Sequence, residues 1–345
     1  MKKTLLALAV PALLAASAAN AATVYEKDGQ KFEVTGRAQA NYFNNAASDS
    51  NGSTVQGSAR LGLRGSSAIN DTWSAIARGE WQIAAENSDK DKKKVYDEND
   101  HVIGYTDADE GQFTTRHLYA GFDGSQYGTL IAGQTDTAYY AVVAPTDIFN
   151  EWGSYGNSYW GYRGGAANFG GRQEGQIIYS NSFGGFRGGV SYRLAEDTEN
   201  LDKSYAGNLG YDFGFGVGVT VAADQYDSQD GLADQSDWGL SATYGTFGEG
   251  LYLAGVYTQS DIEQTGVDNT HKGYELAATY TLANGLGFLS GYNYTEDEND
   301  VELTDEFLVG AMYNFSSNLL GYTEFVLDQR DDADNLATVA LQYDF

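Results

Sequence analysis

Apolar and polar side chains alternate with a period of two along most of this chain, and this alternation constrains the fold more than any other feature. From Phe32 to Tyr42, the even-numbered positions are apolar or small, and the odd-numbered positions between them are polar. Successive side chains of a β-strand point to opposite faces of a sheet, so the segment predicts a strand with one apolar and one polar face. A single such strand fits a soluble sandwich as well as a membrane barrel, so the number of strands has to decide.

The same alternation recurs at regular intervals along the chain. Long polar connections alternate with short turns, as in outer-membrane barrels. The pattern gives sixteen strands, with about 20 residues for each strand and its connection, and a strand tilted across a bilayer needs only ~9–11 residues. Three strands, near Thr114–Asp123, Leu251–Thr258 and Leu319–Gln329, alternate too weakly to assign their faces. The short turns are expected at Ser66–Asp71, Asp123–Tyr127, Ser182–Gly185, Asp212–Gly214, Thr246–Gly250, Ala283–Gly285 and Ser316–Asn318.

The first residues have the pattern of a secretory signal peptide. Two lysines, Lys2 and Lys3, precede an apolar run from Leu5 to Ala16, and the small residues Ala19 and Ala21 stand at the −3 and −1 positions of a cleavage site. The run is shorter than the ~20 residues of a transmembrane helix. We therefore expect a signal peptide over residues 1–21 and export of the remaining chain.

The composition favours a closed sheet. The chain has 43 Gly and 26 Tyr but only 2 Pro and no Cys. Soluble β-proteins often place Pro at exposed edges, whereas a closed barrel has no edge to protect, and closure satisfies the backbone of a sheet in lipid. No segment after Ala21 is apolar over the length of a transmembrane helix. The sequence predicts an all-β protein, a single 16-stranded antiparallel transmembrane β-barrel over residues 22–345.

The charge of the chain excludes some partners. The formal net charge is −28, which argues against a nucleic-acid partner, because nucleic acids are bound by clustered basic side chains. The three His residues are scattered and form no metal-ligand spacing, so we expect no metal and no cofactor. We expect the acid-rich segments to be solvated loops; these are Asp89–Glu110, Asp224–Asp237, Glu296–Glu306 and Asp328–Asp334.

Three segments resemble the trimeric general-diffusion porins of Gram-negative bacteria. They are Val24–Gly29 before the first long strand, Ala59–Gly65 on the second, and Leu341–Phe345 with its terminal aromatic residue. The resemblance implies a third long loop that folds inward and narrows the pore. It also implies a homotrimer in the bacterial outer membrane, in contact with lipid and lipopolysaccharide. The second long loop, roughly Glu86–Gln112, contributes to trimer contacts in that family and is long and charged here.

The third long loop, roughly Thr135–Gly171, follows the fifth strand. Its segment Thr146–Ser154 matches the loop tip that carries two acids in the resembled family, and Asp147 and Glu151 stand at the positions of those acids. The family motif is only partly kept, because Asn150, Trp152 and Ser154 replace its Pro, Phe and second Gly. The resemblance implies that Asp147 and Glu151 form the acidic side of the pore constriction.

The basic side of the constriction in that family matches four arginines here, Arg37, Arg60, Arg116 and Arg172. Arg37 and Arg60 also lie on the polar phase of clearly alternating strands, whereas the facing of Arg116 rests on the resemblance alone. Arg172 opens a strand in which Glu174 and Gln176 share its phase. A generic cation facing the lumen remains the alternative for each of them, and Arg64 and Arg163 are weaker candidates.

These patterns predict an outer-membrane porin with a water-filled channel for passive diffusion of ions and small hydrophilic solutes, mildly cation-preferring because acids crowd its mouths. The alternative is a substrate-selective, sugar-type porin, since the third loop is rich in aromatic residues such as Tyr139, Phe149 and Trp152. Packing of the loop against the wall explains the same residues. We expect no enzyme and no catalytic residue, because no Ser, His and Asp are spaced to meet.

Overall fold

The computed structural model describes residues 21–44, 53–84, 92–96, 102–107, 113–153, 156–157, 171–194, 201–228, 234–264, 267–330, 333 and 335–345. Within them the protein is almost entirely β-structure, with one short α-helix, α1 (Tyr140–Val143), and a 3-10 turn at Ser125–Tyr127. The strands are β1 (Ala22–Lys27), β2 (Gln30–Asn44), β3 (Thr54–Ala68), β4 (Ser74–Ala84), β5 (Lys92–Tyr96), β6 (Val102–Asp107), β7 (Phe113–Asp123), β8 (Thr129–Asp136), β9 (Arg172–Phe183), β10 (Phe186–Arg193), β11 (Leu201–Asp212), β12 (Val217–Ser228), β13 (Asp234–Thr246), β14 (Glu249–Gln264), β15 (Val267–Thr281), β16 (Leu286–Glu296), β17 (Glu302–Asn314), β18 (Leu319–Asp328) and β19 (Leu336–Asp344).

Sixteen of these strands form a closed antiparallel barrel. Each pairs with the next from β2 to β4 and from β7 to β19, β4 pairs with β7, and β19 pairs back onto β2. Among the strands that the structure describes, β5 and β6 pair with each other and not with the barrel, within the connection between β4 and β7. The predicted 16-stranded antiparallel barrel is confirmed.

The barrel closes where its two chain ends meet on one edge of β2. Strand β1 pairs with the first residues of β2, up to Val34, and β19 pairs with the residues from Arg37 onward. Between these two stretches, Phe345 exchanges backbone hydrogen bonds with Gly36, at 2.7 and 2.9 Å. The two terminal strands thus lie end to end along the same edge and leave little of that edge unpaired.

The two ends of the barrel differ in their connections. All seven predicted short turns join consecutive strands at one end, as in the turn from β3 to β4, where Asn70 accepts backbone hydrogen bonds from Thr72 and Trp73. Five of the eight connections at the other end are longer, but five residues join β12 to β13 and β16 to β17, and only residues 265 and 266 separate β14 from β15. The predicted alternation of short turns and longer loops is confirmed for those five connections, and these three are the exceptions.

The faces of the barrel are reversed relative to a soluble protein. On β15, Leu276 is 59% exposed on the outer face, whereas its neighbour Glu275 on the inner face is 1% exposed. The large exposed hydrophobic side chains are mostly Phe, Tyr, Leu and Val, with a few Ile and Trp, which suits a surface in contact with lipid. Among the described residues, no helix is long and apolar enough to cross a membrane.

Two acid-rich segments that were predicted to be solvated loops are mostly strand. The hairpins β12–β13 and β16–β17 extend into them, so that Asp224 and Asp237 become cross-strand partners on the inner face and Glu306 is fully buried. The prediction was wrong because acidic composition was taken to mark a loop, whereas the inner wall of this barrel is itself polar. The expected signal sequence and half of Asp89–Glu110 lie outside the described residues, and the described half of that segment forms β5 and β6.

Candidate pore constriction

The third long loop begins and ends at two cross-strand partners. Strand β8 ends at Asp136 and β9 begins at Arg172, their Cα positions are paired, and Arg172 Nε lies 3.4 Å from Asp136 Oδ1. Strand β8 is the fifth strand of the barrel, so the predicted position of this loop is confirmed. An ion pair thus joins the two ends of the loop at the inner wall.

The first part of the loop packs against the inner wall on an apolar patch. Tyr139, Val142 and Val143 are fully buried. They contact a cluster that the wall supplies through Ala206, Ala222 and Val256 on β11, β12 and β14. The backbone here is also fixed by polar contacts, because Ser191 Oγ accepts from Ala138 N at 3.0 Å, Asn208 Nδ2 donates to Ala138 O at 2.7 Å, and Tyr252 OH donates to Pro145 O at 2.8 Å.

Glycines in the wall leave room for the loop. The ring of Phe149 lies over Gly291 on β16, where a Cβ would stand 2.8 Å from Phe149 Cε2. The backbone of Gly156 lies over Gly273 on β15 in the same way, and Val142 lies against Gly239 on β13. Because any side chain at these positions would meet the loop, the wall is shaped to receive it.

Two buried carboxylates of the wall hold the loop. Glu275 on β15 accepts hydrogen bonds from Thr146 Oγ1, from Gly156 N at 2.9 Å and from Asn157 Nδ2 at 2.9 Å. Glu324 on β18 accepts from Asn150 N at 2.7 Å, from Asn150 Nδ2 at 3.0 Å and from Glu151 N at 3.0 Å. Both carboxylates satisfy backbone donors of the loop that would otherwise be buried without partners.

The loop tip crosses the interior as far as β2. Glu151 Oε1 accepts hydrogen bonds from Gln39 Nε2 at 2.5 Å and Asn41 Nδ2 at 2.7 Å on β2, and from Tyr322 OH at 2.6 Å. The ring of Trp152 meets Phe43 edge to face, with centroids 5.8 Å apart. The described part of the loop therefore runs from β8 across the inside of the barrel, as predicted for a third long loop that folds inward.

Asp147, the other predicted acid, faces back toward the root of the loop, the place where Asp136 and Arg172 pair. Tyr140 OH donates to Asp147 Oδ2 at 2.9 Å. Burial and the neighbouring Asp147 charge raise the pKa of Tyr140 well above its usual value, so the phenol stays neutral and remains a donor. The charges of Asp136 and Arg172 also act on this phenol, which places Asp147 near the basic residues at the root.

Arg37 and Arg60 stand side by side on the inner wall, on the strand that holds the loop tip and on its neighbour. They are cross-strand partners on β2 and β3, and Arg60 also experiences the charges of Arg116 and Arg172. Arg37 Nη1 donates to Gln342 Oε1 at 3.3 Å, and Arg60 Nε donates to Gln82 Oε1 at 2.5 Å. The charge of Glu151 from the loop tip acts on Arg37. All four predicted arginines are thus brought into one group within electrostatic range.

A bulge brings Arg116 to the inner face. On β7, Thr115 pairs with Trp81 and His117 pairs with Glu80, which leaves Arg116 as the extra residue. Arg116 Nε lies 2.9 Å from Glu80 Oε1, and Arg78 Nη2 lies 2.6 Å from Glu80 Oε2. The inward facing of Arg116 is therefore a consequence of the bulge, which also explains why this strand alternates weakly in sequence.

A second irregularity corrects the expectation for the strand of Arg172. Gln176 is 2% exposed on the inner face, whereas Glu174 is exposed, and Gly175 between them has a φ of 69°. The prediction that Glu174 and Gln176 share the phase of Arg172 was wrong, because the pairing of β8 with β9 shifts here. Arg172 itself lies at Asp136, as described above.

Several residues of the site were not selected from the sequence. They are Arg78 and Glu80 on β4, His117 on β7, Asp136 on β8, Glu275 on β15, and Tyr322 and Glu324 on β18. Most lie on the polar phase of their strands, which indicates a lumen-facing side chain but does not reveal contact with a distant loop. Of the weaker candidates, Arg64 is the cross-strand partner of Arg78, and Arg163 lies outside the described residues.

Within the part of the chain that is described, no three His, Cys, Asp or Glu side chains are grouped to hold a metal ion.

Comparisons with known proteins agree with this architecture. The family model for Gram-negative porins matches residues 5–333. Outer membrane protein U of Vibrio parahaemolyticus is 30% identical over 346 residues, which cover 98% of this chain and 93% of the relative. Outer membrane porin N of Escherichia coli is 31% identical over 361 residues, covering 98% of this chain and 85% of the relative. A solved structure of Salmonella typhi OmpF in complex with daunomycin superposes with a TM-score of 0.75 at 18% identity, covering 93% of this chain and 99% of that one.

The family match spans nearly the whole chain, and both relatives are similar over almost all of it. The closed sixteen-stranded barrel with its inward loop is the architecture that those matches lead us to expect. The chain belongs to the family of Gram-negative porins, which are outer-membrane β-barrels that form channels for passive diffusion of small solutes.

Proposed function

We propose that this porin is a general-diffusion channel for ions and small hydrophilic solutes. Its constriction has a basic side, formed by Arg37, Arg60, Arg116 and Arg172, and an acidic side, formed by Asp147 and Glu151 on the loop. One observation carries the proposal: Glu151 at the loop tip is hydrogen-bonded to Gln39 and Asn41 on β2. Gln39 lies two residues after the inward-facing Arg37 on the same strand. Acidic and basic groups therefore border the same gap.

Such a gap selects solutes by size and polarity. Opposite unit charges ~10 Å apart attract each other by about 0.4 kcal/mol at the dielectric constant of water, and by about 1.7 kcal/mol at an effective value of 20. This energy is enough to orient water across the gap but too small to trap an ion. A small polar solute can replace that water, whereas a bulky apolar solute would lose the hydrogen bonds, so the constriction filters without tight binding.

The proposal includes a mild preference for cations. The net charge of −28 raises the local concentration of cations at the mouths of the channel. Glu80 and Asp136 add carboxylates to the arginine side and offset part of its positive charge. The zero-current potential in a KCl gradient tests this preference, and a potential of the sign for anions would contradict it.

A sugar-selective channel is the less favoured function. The described aromatic residues of the loop are used for packing: Tyr139 is buried against the wall, Phe149 lies over Gly291, and Trp152 contacts Phe43. A stacking track for sugars needs aromatic faces that are open to the lumen. Conductance measurements with added oligosaccharides separate the two functions, because saturable block at low sugar concentration is expected only for the selective channel.

We further propose that residues 1–21 are removed as a signal peptide and that the mature chain forms a homotrimer. The first strand begins at Ala22, directly after the expected cleavage site. The trimer is supported by the resemblance to trimeric porins, and the exposed apolar outer face suits contact with neighbouring barrels, lipid and lipopolysaccharide. An unboiled sample should migrate as an oligomer on a denaturing gel, and a lone monomer band would contradict the trimer.

A further inference from the structure

Asp136 lies among polar and basic side chains from three elements, at the point where the loop begins and ends. Its Oδ1 is 3.4 Å from Arg172 Nε on β9, and its Oδ2 is 3.9 Å from His117 Nε2 on β7. Its charge also acts on Arg116 and on Tyr140, the phenol that donates to Asp147. The carboxylate therefore belongs to the arginine side of the constriction and is close to its acidic side as well.

The position of this carboxylate is fixed from two sides. Arg172 is its cross-strand partner, and His117 Nδ1 lies 2.9 Å from Thr135 Oγ1. If the Thr135 hydroxyl donates to Nδ1, the imidazole proton is on Nε2, the nitrogen that faces Asp136. The side chain is 16% exposed, so it has little freedom to leave this place.

Asp136 divides the arginine side into two parts of different charge. Arg37 and Arg60 form a positive pair, and the charge of Glu151 acts on Arg37. Around Asp136, in contrast, Asp136 compensates Arg172, and Glu80 compensates part of the charge of Arg116 and Arg78. An ion that passes Asp147 therefore meets a wall of reduced positive charge near Asp136, where arginines alone would repel a cation more strongly.

We propose that Asp136 is a specificity-determining residue of this channel and that its carboxylate favours the passage of cations along the arginine side of the constriction. The inference rests on the proposed constriction and adds to it a determinant that lies on the barrel wall. Removal of one unit charge ~10 Å from the ion path changes the permeability of a monovalent cation and of a monovalent anion about twofold in opposite directions, which changes their permeability ratio about fourfold.

The test compares charge-neutral variants in planar bilayers. Asp136→Asn keeps the size of the side chain and an oxygen acceptor for Arg172 but removes the charge. We expect the K⁺/Cl⁻ permeability ratio, from the zero-current potential, to fall about fourfold in this variant and to return in Asp136→Glu. Asp147→Asn should lower the ratio too. Asp123→Asn, in an exposed short turn, is the matched control and should leave the ratio unchanged.

The outcomes separate this inference from the proposed function. A normal ratio in Asp136→Asn together with a lowered ratio in Asp147→Asn would show that Asp136 only closes the loop root, and it would overturn the inference. Normal ratios in both variants would refute the constriction itself. If Asp136→Asn does not assemble, Arg172→Gln decides: exposure of the Asp136 charge should raise the ratio more than Arg60→Gln does, and an equal or smaller rise would overturn the inference.

Discussion

Arg37 and Arg60 are cross-strand partners on β2 and β3, so two guanidinium groups lie next to each other on the inner wall. Like charges placed opposite each other across an antiparallel pair destabilise it by roughly 0.2–1 kcal/mol. Each guanidinium donates a hydrogen bond to a neutral glutamine rather than to a carboxylate placed between them: Arg37 donates to Gln342, and Arg60 donates to Gln82. The arrangement is unfavourable for the sheet and favourable for a positive strip facing the loop acids.

Arg60→Gln should therefore stabilise the barrel while weakening its basic side. We expect a gain of about 0.5 kcal/mol in the free energy of unfolding and a higher K⁺/Cl⁻ permeability ratio. Thermal unfolding in detergent and zero-current potentials measure the two effects. Arg60→Lys keeps the charge and should keep the ratio, and a loss of stability in Arg60→Gln would show that the hydrogen bond to Gln82 outweighs the repulsion.

Removal of the Glu324 carboxylate should release the loop tip. Glu324→Ala loses three acceptor contacts, to Asn150 N, Asn150 Nδ2 and Glu151 N, and hydrogen bonds to a charged group contribute roughly 1.5–3 kcal/mol each. A net loss of about 3 kcal/mol raises the population of the detached tip roughly 100-fold. Single-channel recordings should show added current noise, with Glu324→Gln between the alanine variant and the wild type.

Glu249→Gln, in an exposed short turn, is the control for that experiment and should leave the recordings unchanged. Quiet channels of wild-type conductance in Glu324→Ala would mean that Glu275 and the packing of Phe149 hold the tip without Glu324.

A methyl group at Gly291 should displace the loop without unfolding the barrel. A Cβ there would stand 2.8 Å from Phe149 Cε2, so the ring has to move into the pore, at a cost of about 1–3 kcal/mol for overpacking. We expect lower single-channel conductance in Gly291→Ala. Gly65→Ala is the matched strand variant, since its Cβ would meet nothing within 4 Å. Equal conductance in both variants would contradict the packing of Phe149 on the wall.

The raised pKa of Tyr140 predicts an alkaline effect on stability. Because the phenol loses its proton less readily when folded than when unfolded, its contribution to stability is complete below pH ~10 and declines as the pH rises further. Tyr140→Phe should lower the thermal transition at neutral pH, through loss of the bond to Asp147, and should lose less stability between neutral and alkaline pH than the wild type. Parallel pH profiles of the two proteins would contradict this assignment.

The barrel could be predicted from the sequence because each of its sixteen strands needs apolar side chains on the outer face. The faces of a strand could not be assigned where contact with the loop or a bulge also affects its residues. On β14, Tyr252, Ala254 and Val256 are apolar on the inner face because they lie under or beside the loop, so apolar residues occupy both faces. On β7, the bulge at Arg116 shifts the phase within the strand.

The acids of the loop tip could be predicted from the resemblance, but their partners on the wall could not. Glu324 and Glu275 differ in no local feature from other polar residues of the inner face, and their role depends on where a loop more than 100 residues earlier in the chain comes to lie. Asp136 is likewise distinguished only by its pairing with Arg172, which the length of the intervening loop conceals.

The most direct test of the account asks whether the polar face of the barrel borders water. The chain contains no cysteine, so single cysteines can be placed at Arg37, which faces inward, and at its neighbour Ala38, which is exposed on the outer face. A charged, membrane-impermeant thiol reagent should react with Arg37→Cys in lipid bilayers and reduce its current, and it should leave Ala38→Cys unmodified. Reaction at position 38 with protection at position 37 would contradict the account.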